Sequence, residues 1–263
     1  MTLAGSWPGD GTLARLQDQL RRSQGAAADE ARLVGPGWVA RTPSLPWVWS
    51  LNHLKVYEPI SFPDLLVVVD EVLSGLPYRH VMIEHEPTAD QLEGPLRDAG
   101  WTVDTEVIMV IAQPPDREVD TSAITEIIED QMLVLMREWL IEERPSSSEE
   151  ALDQIDEYNR REGRLLGERR FGFVDEQGSP LAITKLRIDG PIAWVEDVYT
   201  TPEARGRGYA RALVTNAVAL STGSELIFIV ADDNDWPKTL YQKIGFQPVG
   251  RCKTFHLDMR QAT

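Results

Sequence analysis

The chain has one cysteine, Cys252, in 263 residues. That excludes an intramolecular disulfide and any metal site built from several thiolates. Histidine is also scarce: His53, His80, His85 and His256 show no zinc-ligand spacing. His80 and His85 bracket a short apolar run that reads as a strand, on which residues five apart face opposite ways. Structural or surface roles are expected for all four, and no metal. Positive charge is short, with 26 Lys and Arg against 42 Asp and Glu, a net −16. A duplex phosphate backbone would be repelled, so no nucleic acid is expected as a partner. A cationic partner suits that charge, although a solvated surface accounts for most of it. No run reaches the roughly 18 apolar residues of a membrane span. The amino-terminal stretch lacks the basic segment and continuous apolar run of a signal peptide. The expectation is a soluble, cytoplasmic protein with no membrane partner, as monomer or homodimer.

What is present suggests alternating helices and strands. Residues 12–33 have a helical rhythm, ended by Gly35-Pro36-Gly37. Trp47 to Leu54 reads as a strand, and Leu65 to Leu73 is apolar with helix and strand both open. His80 to Ile83 reads as a strand, Asp90 to Ala99 as a short helix, and Glu106 to Ile111 as another strand. After Pro114-Pro115, the spacing of apolar residues predicts an amphipathic helix over 124–141. A second helix follows the Ser146-Ser147-Ser148-Glu149-Glu150 loop to about Arg161. From Arg169 the period changes to that of three antiparallel strands, turning at Gln177-Gly178 and Asp189-Gly190. A helix over 208–220, an apolar strand 226–230, a short helix 237–243 and a strand near 254–259 complete the chain.

The loop between the third of those strands and the next helix is Arg205-Gly206-Arg207-Gly208-Tyr209-Ala210. Its glycines let the backbone approach a ligand, and the helix start offers unpaired N–H groups with the positive dipole end behind them. As a pattern this suits an anion, and equally a solvated turn. Downstream come Asn234, Leu240, Tyr241, Gly245 and Phe246. With the helix–helix–three-strand order before the loop, the stretch 117–260 resembles the GNAT superfamily of N-acetyltransferases. Arg205, Gly208 and Ala210 match that family's pyrophosphate-loop pattern.

The resemblance implies acetyl-CoA as co-substrate, its pyrophosphate held by Arg205, Gly206, Arg207, Gly208, Tyr209 and Ala210. It implies that Val198, Tyr199 and Thr200 offer backbone hydrogen bonds to the pantetheine arm and thioester, with the 226–230 strand splayed away. Asn234 falls where the family contacts pantetheine. Tyr241 falls where many members place the acid that protonates the leaving thiolate; a tyrosine in a Leu-Tyr pair also serves as a buried anchor. For the base, Glu196 is the first choice and Asp197 the alternative. As neighbours on a strand they face opposite ways, and both also fit as strand-edge solubilising charges. Cys252 reads as a packing residue.

The first half looks like a faded copy. At an offset of 145 residues, which sets Leu96 on Tyr241, the elements of both halves fall in the same order. Pro59-Ile60-Ser61-Phe62-Pro63-Asp64 stands where the glycine loop stands, without glycine and with an acid. The expected fold class is mixed α/β (α+β): two GNAT-like domains, each a twisted, mostly antiparallel sheet with flanking helices. Residues 1–115 would be the degenerate copy and 116–263 the catalytic one. The expected activity is transfer of an acetyl group to a primary amine of a small molecule or peptide. The acid-rich helices, with Glu142, Glu143, Glu149, Glu150, Asp153, Asp156 and Glu157, would draw a cationic acceptor or simply be solvated. The alternative is a non-catalytic CoA-binding or sensor module.

Overall fold

Chain contacts in the computed structural model, which describes residues 11–259, divide the protein into two units. Residues 17–107, 232–234 and 250–259 make the amino-terminal unit; 11–16, 108–231 and 235–249 make the carboxy-terminal one. The ends of the expected domains, 1–10 and 260–263, lie outside the described residues.

The described residues open with α1 (Thr12–Ala27), then β1 (Glu30–Val34) and β2 (Gly37–Arg41). The helical rhythm over 12–33 therefore ends early. Residues 30–34 pair with 37–41 as a hairpin turning at Gly35-Pro36, and this pairing overrides local propensity. β3 (His53–Val56) is shorter than the expected 47–54 strand, because Trp49–Leu51 is a 3-10 turn. Asn52 is the cause: buried, its side chain accepts from the Thr42 N–H at 2.8 Å and donates to the Leu45 and Val48 carbonyls. α2 (Phe62–Val72) resolves the ambiguous apolar run as a helix, capped by Ser61 and with Leu65, Val69 and Val72 buried. Then come β4 (Tyr78–Ile83), α3 (Glu86–Asp98) and β5 (Thr102–Ile111). His85 lies just before α3, not on the strand, with Nδ1 2.7 Å from the Thr88 hydroxyl.

β2 pairs antiparallel with β3, and β3 pairs parallel with β4 through the α2 crossover. The core of this unit packs α2 and α3 on the sheet, around Leu54, Leu65, Val69, Val81, Leu92 and Trp101. His53 is fully buried, and burial first, then the charges of Lys55 and His80, hold its pKa well below the ordinary histidine value. The unfolded chain therefore binds a proton that the folded chain refuses, and stability falls as pH drops below about 6.5. Denaturant midpoints at pH 7.5 and 5.5 should show that loss. His53→Leu should reduce the pH-dependent part; an unchanged pH difference in the variant would refute the assignment.

The second half begins with β6 (Thr125–Glu126) and α4 (Glu129–Glu143), so the helix expected from 124 starts five residues later. Residues 125–126 pair instead with the following hairpin, and Ile127 enters the core. After α5 (Glu149–Leu166) come β7 (Arg169–Val174), β8 (Pro180–Asp189) and β9 (Ile192–Thr200). These three are antiparallel, as their turns predict. α6 (Tyr209–Leu220) crosses to β10 (Leu226–Asp232), which is parallel to β9. α7 (Pro237–Ile244) and β11 (Phe246–Asp258) follow, the last strand beginning eight residues before the expected 254. Most ladders are antiparallel, and the mixed α/β class is the one expected.

β5 and β11 each pass from one unit into the other. Residues 108–111 of β5 count with the carboxy-terminal unit, where β5 neighbours β10; residues 250–258 of β11 count with the amino-terminal unit and pair with β4. A fragment starting at residue 116 leaves β10 without that neighbour and an open strand edge. We expect such a fragment to lack a cooperative thermal transition by circular dichroism; a cooperative melt like that of the full chain would refute this.

Candidate active site

In the carboxy-terminal unit a cavity of about 720 Å³ opens between the end of β9, the start of α6, α7 and α4. Its size falls within the range of small-molecule sites, roughly 300–1,000 Å³. Val198, Tyr199 and Thr200 line it, with Arg205, Gly206, Gly208, Tyr209, Ala210 and Tyr241. The sequence therefore chose residues that three separate stretches bring together. Four do not line it: Arg207, Asn234, Glu196 and Asp197. Arg207 donates to the Glu203 carbonyl at 3.1 Å. Asn234 belongs to the 232–234 stretch of the amino-terminal unit, its N–H donating to Asp232.

The loop has the form an anion requires. Gly206 and Gly208 have φ of 79° and 84°, in the left-handed region, and a Cβ built on either meets nothing within 4 Å. Gly208 is the residue before the first turn of α6, so that turn's N–H groups end at the cavity. Arg205 is drawn toward α4. Its Nη2 is 2.6 Å from the Glu142 carboxylate and its Nε donates to the Thr200 carbonyl. That contact holds the Glu142 carboxyl below the usual carboxylate range. The same carboxylate accepts from the Tyr199 hydroxyl at 3.0 Å, and Trp139 stacks on the Tyr199 ring.

β9 and β10 pair from Ile192–Leu226 to Val195–Ile229, and among the described residues the ladder stops there. The cause lies at the next two residues. Opposite β8 the register shifts between Ile183 and Lys185, a bulge on β9. Asp197 sits in it at φ 50°, the one non-glycine at positive φ among the described residues. This removes the simple alternation expected of Glu196 and Asp197 on a regular strand. Neither is a solvated edge charge. Asp197 pairs with Lys185 at 2.6 Å, its side chain 27% exposed, and Glu196 pairs with Arg187 at 2.6 Å.

Behind β9 these pairs join one buried network. Arg187 also reaches Glu162 at 2.7 Å and Glu168 at 3.0 Å. Lys185 reaches Glu168 at 3.7 Å and donates to the Asn159 side-chain oxygen at 2.6 Å. Burial alone would lower the Lys185 pKa; Asp197, Glu168, Glu196 and Glu162 outweigh it and raise it. Glu196 is pushed well above the usual carboxylate range by burial, against the pull of Arg187 and with the help of Asp197 and Glu162. That direction follows from the charge count, since four carboxylates surround Lys185 and Arg187. Oxygens of Glu162, Glu168 and Glu196 come within 4.8 Å of one another, as they would around a cation, and the Arg187 guanidinium contacts all three.

Tyr241 is buried to 6% exposure, edge-on to Phe246. Burial, then the nearby charges of Asp235 and Asp197, raises its phenol above the ordinary value, so it is protonated at neutral pH. Sequence reasoning missed Arg117, Trp139, Lys243 and Trp236, which also line the cavity. Arg117 is placed by a loop stitched to the end of α7. The Ala112 and Gln113 N–H groups donate to the Gly245 carbonyl, and Asp116 N–H donates to that of Lys243. A Cβ on Gly245, at φ 115°, would stand 2.1 Å from the Gln113 oxygen. Gly245→Ala should therefore cost more than about 1 kcal/mol, read as a lower urea midpoint; an unchanged midpoint would refute the close approach.

Residues 133–246 match the family model described as Acetyltransferase (GNAT) family. The match covers less than half of the chain, 114 of its 263 residues. Among solved structures, the chain is similar to a functionally unknown conserved protein from Staphylococcus epidermidis. The TM-score is 0.68 at 13% identity, covering 86% of this chain and 92% of that one. A GCN5-related N-acetyltransferase from Kribbella flavida gives 0.58 at 15% identity, covering 95% and 96%. At such identities the likeness is one of fold, and it extends over both halves of the chain. No curated protein matches the chain. Among the described residues no helix is long and apolar enough to cross a membrane.

Proposed function

We propose that the matched segment is a GNAT domain that transfers an acetyl group from acetyl-CoA to a primary amine of a small molecule or peptide by direct attack. The observation that carries this reading is the meeting, in one cavity, of the open glycine loop, the freed end of β9 and a protonated Tyr241. These residues fit the co-substrate. The α6 N–H groups, with Arg205, suit a pyrophosphate, and nothing at Gly206 or Gly208 blocks close approach; a contact from Arg207 rests on resemblance alone. Val198 to Thr200 lie beyond the β10 ladder, so β10 does not take up the backbone groups they turn away from β8, which suits a pantetheine arm, although the Thr200 carbonyl already accepts from Arg205. The pantetheine contact of Asn234 rests on resemblance alone.

Tyr241 supplies the proton to the departing thiolate. For the base, Glu196 is the first choice: its raised proton affinity suits proton uptake, and, since it does not line the cavity, a water relay would have to link it to the acceptor. Asp197, more exposed and held by Lys185, is the alternative. The amino-terminal unit is a degenerate copy by its order of elements. α1, β1–β3, α2, β4, α3 and β5 run parallel to α5, β7–β9, α6, β10, α7 and β11. Thioester cleavage measured with acetyl-CoA and a panel of amines tests the activity. Turnover on at least one amine is expected; tight acetyl-CoA binding without turnover on any would favour a sensor instead.

A further inference from the structure

We propose that Arg117 and Lys243 form a seat for the 3′-phosphate of coenzyme A, so that the protein distinguishes CoA from its 3′-dephospho form. The inference rests on the reading of the cavity as a CoA site. The whole chain has 42 acids to 26 bases, yet the cavity lining inverts that balance. Arg117, Arg205, Arg211 and Lys243 line it against Glu142, Glu143 and Asp235. Two of those four cations are engaged within the protein: Arg205 with Glu142 and Arg211 with Asp116, each at 2.6 Å. Arg117 and Lys243 are exposed, and neither enters an ion pair among the described residues.

Their adjacency is built into the backbone. Asp116 donates its N–H to the Lys243 carbonyl at 2.9 Å while its carboxylate holds Arg211, on the first turn of α6. Arg117, the next residue along the loop, thus follows a backbone bond to Lys243, and both side chains line the cavity. The site also lies at the C-terminal end of α7, where the helix dipole repels an anion, so any phosphate there depends on these cations. The glycine loop accounts for one anionic group, the pyrophosphate. CoA carries a second, a ribose monoester that is nearly dianionic at neutral pH. Two cations on other elements than the glycine loop, lining the same cavity, match that second group.

Calorimetric titration of CoA and 3′-dephospho-CoA into the full chain tests the seat. At low salt CoA should bind about 10- to 100-fold tighter, with the gap narrowing as ionic strength rises. In Arg117→Gln/Lys243→Gln the dephospho form should bind as before while CoA weakens to match it, each single substitution closing part of the gap. Arg205→Gln should weaken both ligands alike. Equal binding of the two ligands to the native chain, or a gap that survives in the double variant, would overturn the seat and leave the CoA site standing. Binding of neither ligand would remove both readings. The substituted side chains are exposed, so a melting temperature within about 2 °C of the native chain is expected.

Discussion

Arg187→Met should lower the stability of the carboxy-terminal unit by about 3–5 kcal/mol. Arg187 is held between Glu162, Glu168 and Glu196 on one side and the Trp194 ring, 5.1 Å away, on the other. Its side chain is 5% exposed and those of Glu162 and Glu168 are 5% and 0% exposed. Methionine fills much of the same space, so the effect isolates charge from cavity formation. Three carboxylates would be left in a low-dielectric interior with Lys185 as the nearest cation and Arg170 beside Glu168. The deficit should depend on pH with a definite sign. Unpaired buried carboxylates hold protons more tightly in the folded than in the unfolded chain, so acid relieves the variant. The stability difference from native should therefore be smaller at pH 5 than at pH 7.5. Urea unfolding followed by tryptophan fluorescence reads both. A loss under about 1 kcal/mol, or one independent of pH, would show that water reaches the network and screens it.

The same network explains what the sequence could and could not convey about the site. Local chemistry announced the glycine loop, because positive φ and a helix start demand glycine and leave a signature a few residues long. Gly245-Phe246 was legible for the same reason: a left-handed turn pressed against the Gln113 carbonyl tolerates no side chain. Lys185, Arg187, Glu162 and Glu168 had no such signature. On paper they are charges on a strand and a helix, ordinary on any solvated face. Only their arrival at one point, from α5, β8 and the residue before β7, turns them into a buried cluster. The same holds for Arg117: a lone arginine on a loop carries no local signature, and its place on the cavity follows from Asp116, anchored on both α6 and α7.

Secondary structure failed where tertiary pairing overrode local rhythm. Residues 30–34 have too little apolar alternation to announce a strand, and four of the five are exposed. Their conformation is set by the partner at 37–41. The bulge at Asp197 was equally hidden, since one extra residue opposite Thr184 leaves no mark on composition. Its consequence is the larger one. The β9–β10 ladder ends beside it, which leaves the β10-facing edge of Val198 to Thr200 on the cavity.

Tyr241→Phe should lower kcat by about 10²–10⁴-fold, the range for loss of a positioned acid, with the acetyl-CoA dissociation constant changed less than about threefold. Burial raises the phenol pKa, which at first sight makes it a poorer donor than a thiol. The departing thiolate is an anion in the same buried surroundings, and desolvation raises its proton affinity too. The match between donor and acceptor therefore survives burial. The lowered dielectric also makes an unprotonated thiolate a worse leaving group, which increases the dependence on Tyr241. Because the phenol is raised, the native rate should show no basic limb below about pH 10. The acidic limb remains, set by deprotonation of the amine and of Glu196. A thioester that leaves without assistance, such as an acetylated thiophenol, should be cleaved almost equally by native chain and variant, because its thiolate needs no proton. The buried ring of Tyr241 is kept in the substitution, so stability should change by no more than the value of one hydroxyl, about 1 kcal/mol. Equal kcat for the two chains with acetyl-CoA, at saturating amine and with chemistry rate-limiting, would reduce Tyr241 to an anchor packed against Phe246.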